Sequence, residues 1–154
     1  ATPAFGRLEE LRIADRGVVL TLMKNPVSAA QAAEAVAARR PDHLLIGLGD
    51  RPADGRDVSW IWDAPLDALP GIAPMTLTGS RADDLALRFK YGRDAACRAD
   101  VDEPRVETEL ERALDSSLRD LPPNGTLMML GTYTTLLGIR KILERRGHAP
   151  AFPR

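Results

Sequence analysis

Pro41-Asp42-His43-Leu44-Leu45-Ile46-Gly47-Leu48-Gly49-Asp50 contains an unbroken apolar run, His43 to Leu48, closed by proline on one side and by Gly49-Asp50 on the other. Continuous apolar character over so few residues predicts a strand covered on both faces, as in the middle of a parallel sheet. Such a strand needs helices above and below it, and the flanking sequence supplies them. Upstream, Ser28 is a plausible N-cap for a helix over 29–40, a stretch of good helix formers that Pro41 stops. Further upstream, 7–13 and 18–23 flank the polar turn Ala14-Asp15-Arg16-Gly17 and predict a β-hairpin. Downstream, 71–78 predicts a strand feeding a helix over 81–91, and 95–101 a weak edge strand. A helix over 106–121 carries Leu110, Ala113, Leu114 and Leu118 on one stripe. After Pro122-Pro123-Asn124-Gly125, 126–130 predicts another apolar strand, and 133–146 a last helix stopped by Gly147. Strand and helix alternate throughout. The expected fold is α/β, a mostly parallel sheet with helices on both faces preceded by an N-terminal β-hairpin.

Composition agrees with a single domain over 1–154. The chain is 44% hydrophobic and 28% charged, with no internal repeat or low-complexity linker. Its formal net charge is −1, without a basic tract, which argues against a general nucleic-acid binder. Cys97 is the only cysteine, so an internal disulfide, a four-thiolate zinc site and an iron–sulfur cluster are excluded, and a reducing cytoplasm is expected. No window approaches the roughly 18 apolar residues of a membrane span. Ala1-Thr2-Pro3 is not a natural initiation sequence, so a piece of a longer chain is expected.

Ligands of open α/β sheets bind beyond the carboxyl ends of the strands. Four segments are expected there: Lys24-Asn25-Pro26, residues 50–63, Gly79-Ser80-Arg81 and Gly131-Thr132-Tyr133. The second of these gathers Asp50, Asp54, Asp57 and Asp63, Arg51 and Arg56, and both tryptophans, Trp60 and Trp62. A solvated turn followed by aromatic packing would account for it. Connections of this length, however, tend to be functional or disordered, and the tryptophans argue for order. An extended 58–62 would put Trp60 and Trp62 on one face and Asp57, Ser59, Ile61 and Asp63 on the other. A carboxylate held in this way could orient a histidine and stabilise its imidazolium. No nucleophile accompanies it: His43 begins a buried strand, His148 follows the last helix, and Cys97 has no histidine close in sequence. Lys24 and Arg81, each at a strand end beside a helix start, suit phosphate or carboxylate anions, or are ordinary surface charge. The phosphate-loop, dinucleotide and zinc-protease signatures are all missing.

Several segments carry a family pattern. They are Gly6-Arg7-Leu8-Glu9, Leu20-Thr21-Leu22-Met23-Lys24-Asn25-Pro26, Asp54-Gly55-Arg56-Asp57-Val58-Ser59-Trp60-Ile61-Trp62-Asp63, Arg81-Ala82-Asp83-Asp84-Leu85-Ala86-Leu87-Arg88 and Thr132-Tyr133-Thr134. Together they resemble the C-terminal domain of the MurT family, the Mur-ligase-like subunits of lipid II isoglutaminyl synthase. The resemblance implies a Rossmann-like fold of the Mur ligase C-terminal domain type, in a fragment lacking the N-terminal and central ATPase domains. It implies a cytoplasmic complex at the inner face of the membrane, in which a GatD-type glutaminase releases ammonia from glutamine. With ATP and Mg2+, the complex amidates the D-glutamate α-carboxylate of the lipid II stem peptide to D-isoglutamine. The phosphate loop and magnesium ligands belong to the central domain, so no cofactor is expected to bind this fragment tightly, and the fragment is expected to be inactive alone. By motif, Asp57 is the aspartate supplied to the glutaminase triad, with Asp63 as runner-up; Lys24 and Asn25 touch nucleotide, and Arg81 meets substrate. The alternative is a module that only docks a partner subunit.

Overall fold

The computed structural model describes residues 8–151; Gly6 and Arg7, and the expected hairpin start at 7, lie outside them. Six strands form one sheet, β1 (Glu9–Ile13), β2 (Arg16–Leu22), β3 (His43–Gly47), β4 (Met75–Thr78), β5 (Arg105–Val106) and β6 (Thr126–Gly131). Their spatial order is β1-β2-β6-β3-β4-β5, with only the β1–β2 pair antiparallel. Four helices connect them, α1 (Pro26–Arg39), α2 (Ala82–Ala95), α3 (Leu110–Arg119) and α4 (Tyr133–Arg145). The α/β architecture with its leading hairpin is the expected one. No helix among the described residues is long and apolar enough to cross a membrane.

Alternation along the central strands builds two cores. Val19, Leu44, Ile46, Met128 and Leu130 meet Ala29, Ala32 and Val36 of α1 and Ala82, Leu85 and Phe89 of α2. Val18, Leu20, Leu45, Leu127 and Met129 meet Ala113, Leu114 and Leu118 of α3 and Leu136, Ile139 and Leu143 of α4. All five residues of β3 are buried, which is why the run from His43 reads as apolar without a break.

Several boundaries differ from expectation for local reasons. The hairpin turn is Ala14-Asp15 alone: Ala14 takes φ 55°, and Arg16 already pairs with Ile13. Helix α1 is capped by Asn25, not Ser28. The Asn25 side chain accepts from the Ser28 amide, Ser28 reciprocates toward the cap backbone, and Pro26 occupies the first turn, where no amide hydrogen is needed. The strand expected over 71–78 shortens to β4, because Leu69–Gly71 forms a 3-10 turn. No strand forms over 95–101. Residues 95–100 are exposed and offer no apolar face, and Arg105–Val106 takes the edge of the sheet instead. Helix α3 consequently starts at Leu110 rather than 106.

Candidate functional site

Strand register aligns the carboxyl ends of four parallel strands. Leu22 pairs with Gly131, Gly131 with Gly47, and Gly47 with Thr78. The two central strands both end in glycine for a steric reason: a Cβ at Gly47 or at Gly131 would stand 2.8 Å from Thr135 Oγ1. Their bareness lets the first turn of α4 sit directly over the strand ends.

That turn is capped from elsewhere in the chain. Thr132, the N-cap residue, makes no side-chain cap bond of its own; its hydroxyl accepts from the Gly49 amide at 2.9 Å. The missing cap comes from Asp54, whose carboxylate accepts from the Thr134 amide at 2.7 Å and from the Thr134 hydroxyl. A carboxylate here satisfies an orphan donor and faces the positive end of the helix dipole. Gly49 makes room for it, since a Cβ there would lie 2.6 Å from Asp54 Oδ2. A second tether ties the same loop to the start of α2: Asp50 accepts from Ser80 Oγ at 2.9 Å and from Arg81 Nη1 at 3.3 Å. The Ser80 hydroxyl, followed by Arg81, holds the Asp50 carboxyl below the usual carboxylate range. Arg81 also donates to both oxygens of Asp84, at 2.7 and 3.2 Å, and those bonds, with that to Asp50, push its pKa upward. The guanidinium expected to bind an anion is thus already paired with two carboxylates.

Beyond Asp54, Gly55 turns the chain at φ 84° and Asp57 stands in solvent. Asp57 Oδ1 accepts from the Ser59 amide at 2.8 Å, and bonding to Ser59, through its hydroxyl and its amide, lowers the carboxyl pKa below its ordinary value. The side chain is therefore ionised at neutral pH. The extended segment expected at 58–62 is instead a 3-10 turn, Ser59–Trp62. Its three-residue period separates the indoles: Trp60 packs partly buried against the core, Ile61 is fully buried, and Trp62 is 47% exposed. Asp63 closes the turn with its carboxylate in solvent and without a side-chain partner among the described residues. Trp62 meets Tyr91 of α2 edge to face at 5.8 Å and lies beside the Arg88 guanidinium. Arg88 is buried. It donates to the carbonyl oxygens of Ile61 and Ala64 and, bidentately, to Asp67.

Lys24 is exposed, and its ammonium has no ion pair among the described residues. Asn25 is occupied in the cap of α1, and the Ser28 hydroxyl already accepts from the Lys24 and Asn25 amides at 2.9 and 3.1 Å. The Lys24, Asn25, Ser28 and Ala29 amides at this helix start are already bonded, which leaves the Lys24 side chain as the charged group here that could face an anion. No group of three or more His, Cys, Asp or Glu residues placed to hold a metal occurs among the described residues. His43 opens β3 at the opposite end of the sheet, about 13 Å of strand from Gly47 by the strand rise, buried with its Nε2 on Thr76 Oγ1 at 2.9 Å. His148 follows the carboxyl end of α4 and Cys97 that of α2. The carboxyl-end face thus presents exposed carboxylates without a histidine or thiol beside them among the described residues.

Asp54 and Arg88 were not legible as site residues. Asp54-Gly55 reads as turn chemistry, and Arg88 lies among charged neighbours on a helix; only their long-range partners reveal them. The hints the sequence offers are the Asp-Gly pair and the places of both residues inside the family segments, and neither names a role.

A six-stranded, mostly parallel sheet with a leading hairpin and a loaded carboxyl-end face defines an α/β domain also found inside large ligases. It aligns with the structure of a bifunctional folylpolyglutamate synthase/dihydrofolate synthase from Yersinia pestis at a TM-score of 0.63 and 15% identity, over 94% of this chain and 32% of that one. It aligns with a UDP-N-acetylmuramoyl-L-alanyl-D-glutamate–2,6-diaminopimelate ligase at 0.56 and 14%, over 97% of this chain and 33% of that one. Residues 22–136 match the MurT ligase C-terminal family, and the chain belongs to it. It is 34% identical to the MurT subunit of the glutamine-hydrolysing lipid II isoglutaminyl synthase of Streptococcus pneumoniae R6, over 92% of this chain and 31% of that protein. With the Staphylococcus aureus COL counterpart it shares 28% identity, over 91% and 31%. The chain spans about a third of the length of these curated relatives.

Proposed function

We propose that this chain is the C-terminal domain of a MurT-type subunit, one domain of a longer protein, and that it lends Asp57 to the active site of a glutaminase subunit. The observation that carries this reading is an exposed, ionised carboxylate, fixed by its bond to the Ser59 amide, on a face with no histidine or cysteine of its own among the described residues. On the partner, a cysteine thiol gives its proton to a histidine as sulfur attacks the glutamine amide carbon. The C–N bond then breaks, and the imidazolium returns the proton to the departing ammonia. Asp57 accepts a hydrogen bond from the other ring nitrogen throughout, holding the tautomer and stabilising the cation. Water hydrolyses the resulting thioester to glutamate and frees the thiol.

Within the complete complex, the ammonia serves ATP-dependent amidation of the D-glutamate α-carboxylate of lipid II at the cytoplasmic face of the membrane. ATP and Mg2+ would be held chiefly by the domain that precedes this one. The unpaired ammonium of Lys24 would supply charge toward phosphate, with Asn25 fixing the helix start beside it. Arg81 would meet a substrate carboxylate by exchanging its 3.3 Å contact with Asp50. The domain by itself is inactive in this scheme. Asp57→Asn in the full-length subunit, reconstituted with its glutaminase, tests the triad role, because an amide cannot hold the required tautomer: glutamine hydrolysis should fall by about 10⁴, and wild-type turnover would refute the role.

A second reading, a module that only docks the partner, draws on the exposed indole of Trp62 against Tyr91, since tryptophan is a frequent interface anchor.

A further inference from the structure

We infer that Asp54 is a positioning residue for the carboxylate of Asp57, acting by latching the acidic loop to the amino end of α4. This rests on the reading of Asp57 as the carboxylate that orients a partner histidine. Only Gly55 and Arg56 lie between Asp54 and Asp57, so the three-step span of chain from one to the other reaches about 10 Å at most. Asp54 is itself fixed in two directions, to the amide and to the hydroxyl of Thr134, and Gly49 leaves no slack behind it. On the far side of Asp57, Val58 is buried and Arg88 grips the carbonyl oxygens of Ile61 and Ala64. Asp57 therefore sits in a short span of loop held at both ends.

The latch has little to do with the core. Helix α4 is seated by Leu136, Ile139, Ile142 and Leu143, all buried, while Asp54 and Thr134 are only half-buried. Removing the Asp54 carboxylate leaves the sheet and helix in place. It moves the upstream restraint on Asp57 back to Asp50, which holds Ser80 and Arg81. A misplacement of about 1 Å in a catalytic group costs on the order of 10²-fold in rate. Asparagine at 54 can rebuild the latch, its carbonyl oxygen accepting from the Thr134 amide and its amide donating to the Thr134 hydroxyl oxygen.

The test uses the full-length subunit assembled with its glutaminase, following ammonia release from glutamine. Asp54→Ala should lower kcat by about 10- to 100-fold with KM for glutamine unchanged, since glutamine is bound by the other subunit. Asp54→Asn should recover to within about threefold of wild type. Asp54→Ala combined with Asp57→Ala should be no slower than Asp57→Ala alone, because two residues acting through one contact are not additive. If Asp54→Ala prevents assembly, Thr134→Val, which deletes one hydroxyl, takes its place, and a several-fold drop in kcat is expected. An Asp54→Ala kcat within twofold of wild type, an additive double variant, or an unchanged Thr134→Val would each overturn the latch. Should Asp57→Ala itself turn over normally, the triad reading falls and the latch with it; a crippled Asp57→Ala beside a normal Asp54→Ala defeats the latch alone.

Discussion

Arg88 donates from Nε to the carbonyl oxygen of Ile61 at 2.9 Å, so a buried cation of α2 holds the backbone of the tryptophan turn from below. The same guanidinium reaches Ala64 O at 3.0 Å and pairs with Asp67, whose carboxyl it pulls below the usual range. Arg88→Met would leave two carbonyl oxygens and a partly desolvated carboxylate without their donor. A loss of about 3 kcal/mol is expected, read as a lower urea midpoint with an unchanged slope. Arg88→Lys should recover little of it, because one ammonium cannot reproduce the planar fork that serves three acceptors.

Gly79 stands between β4 and α2 at φ 96°, and a Cβ there would lie 2.3 Å from the Leu48 carbonyl oxygen. Both a left-handed backbone and a hard backbone clash oppose any side chain. Gly79→Ala is expected to cost about 3 kcal/mol or more, whereas Gly55→Ala, whose Cβ would meet nothing within 4 Å, carries only the positive-φ penalty of about 1 kcal/mol. Paired urea unfolding curves distinguish the two sites.

Stability should depend on pH through His43. Burial lowers its pKa, opposed by the nearby Asp120 and reinforced by Arg105. The unfolded chain therefore takes up a proton near pH 6.5 that the folded chain does not bind until lower pH, so stability falls as pH drops from about 6.5 through the folded value. The slope contributed by one proton is at most about 1.4 kcal/mol per pH unit. Denaturation of His43→Gln at pH 7 and pH 5 should show that limb flattened; an undiminished slope would show that another group is responsible. Carboxylates with lowered pKa, Asp67 and Asp84 among them, act only below about pH 4 and lie outside this window.

If the proposed glutaminase partner docks on this face, Trp62→Ala should weaken its association by about 2 kcal/mol, roughly thirtyfold in Kd, since truncating an exposed aromatic anchor costs on that order. Turnover at saturating partner should return to the wild-type rate. Titration calorimetry and saturation kinetics separate the two effects. If Trp62→Ala abolishes assembly while Asp57→Ala changes neither binding nor turnover, the docking-only reading is the correct one.

What the chain makes legible depends on distance in sequence. The run from His43 to Leu48 announces its burial because both cores press on it, and Leu110, Ala113, Leu114 and Leu118 announce the inner face of α3. Trp60-Ile61-Trp62 misleads because alternation and a 3-10 turn differ by one residue of period; Ile61, placed on the acidic face by an extended reading, is the one wholly buried. The absence of a strand at 95–101 has a similar root: a few aliphatic residues signal a strand only when a neighbour covers them, and those at 95–100 are exposed. Asp54 and Arg88 stayed hidden because their meaning lies in partners 80 and 27 residues away. The exposed position of Asp57 was legible; the tether that fixes its surroundings was not.

Glutamine hydrolysis by the reconstituted two-subunit complex, compared between Asp57→Ala and Asp63→Ala, bears most directly on the assignment of the shared carboxylate. The expected result is a fall of about 10⁴ in kcat for Asp57→Ala with assembly intact, and near wild-type turnover for Asp63→Ala. Wild-type turnover in Asp57→Ala together with loss of activity in Asp63→Ala would contradict it and move the role to the far end of the tryptophan turn.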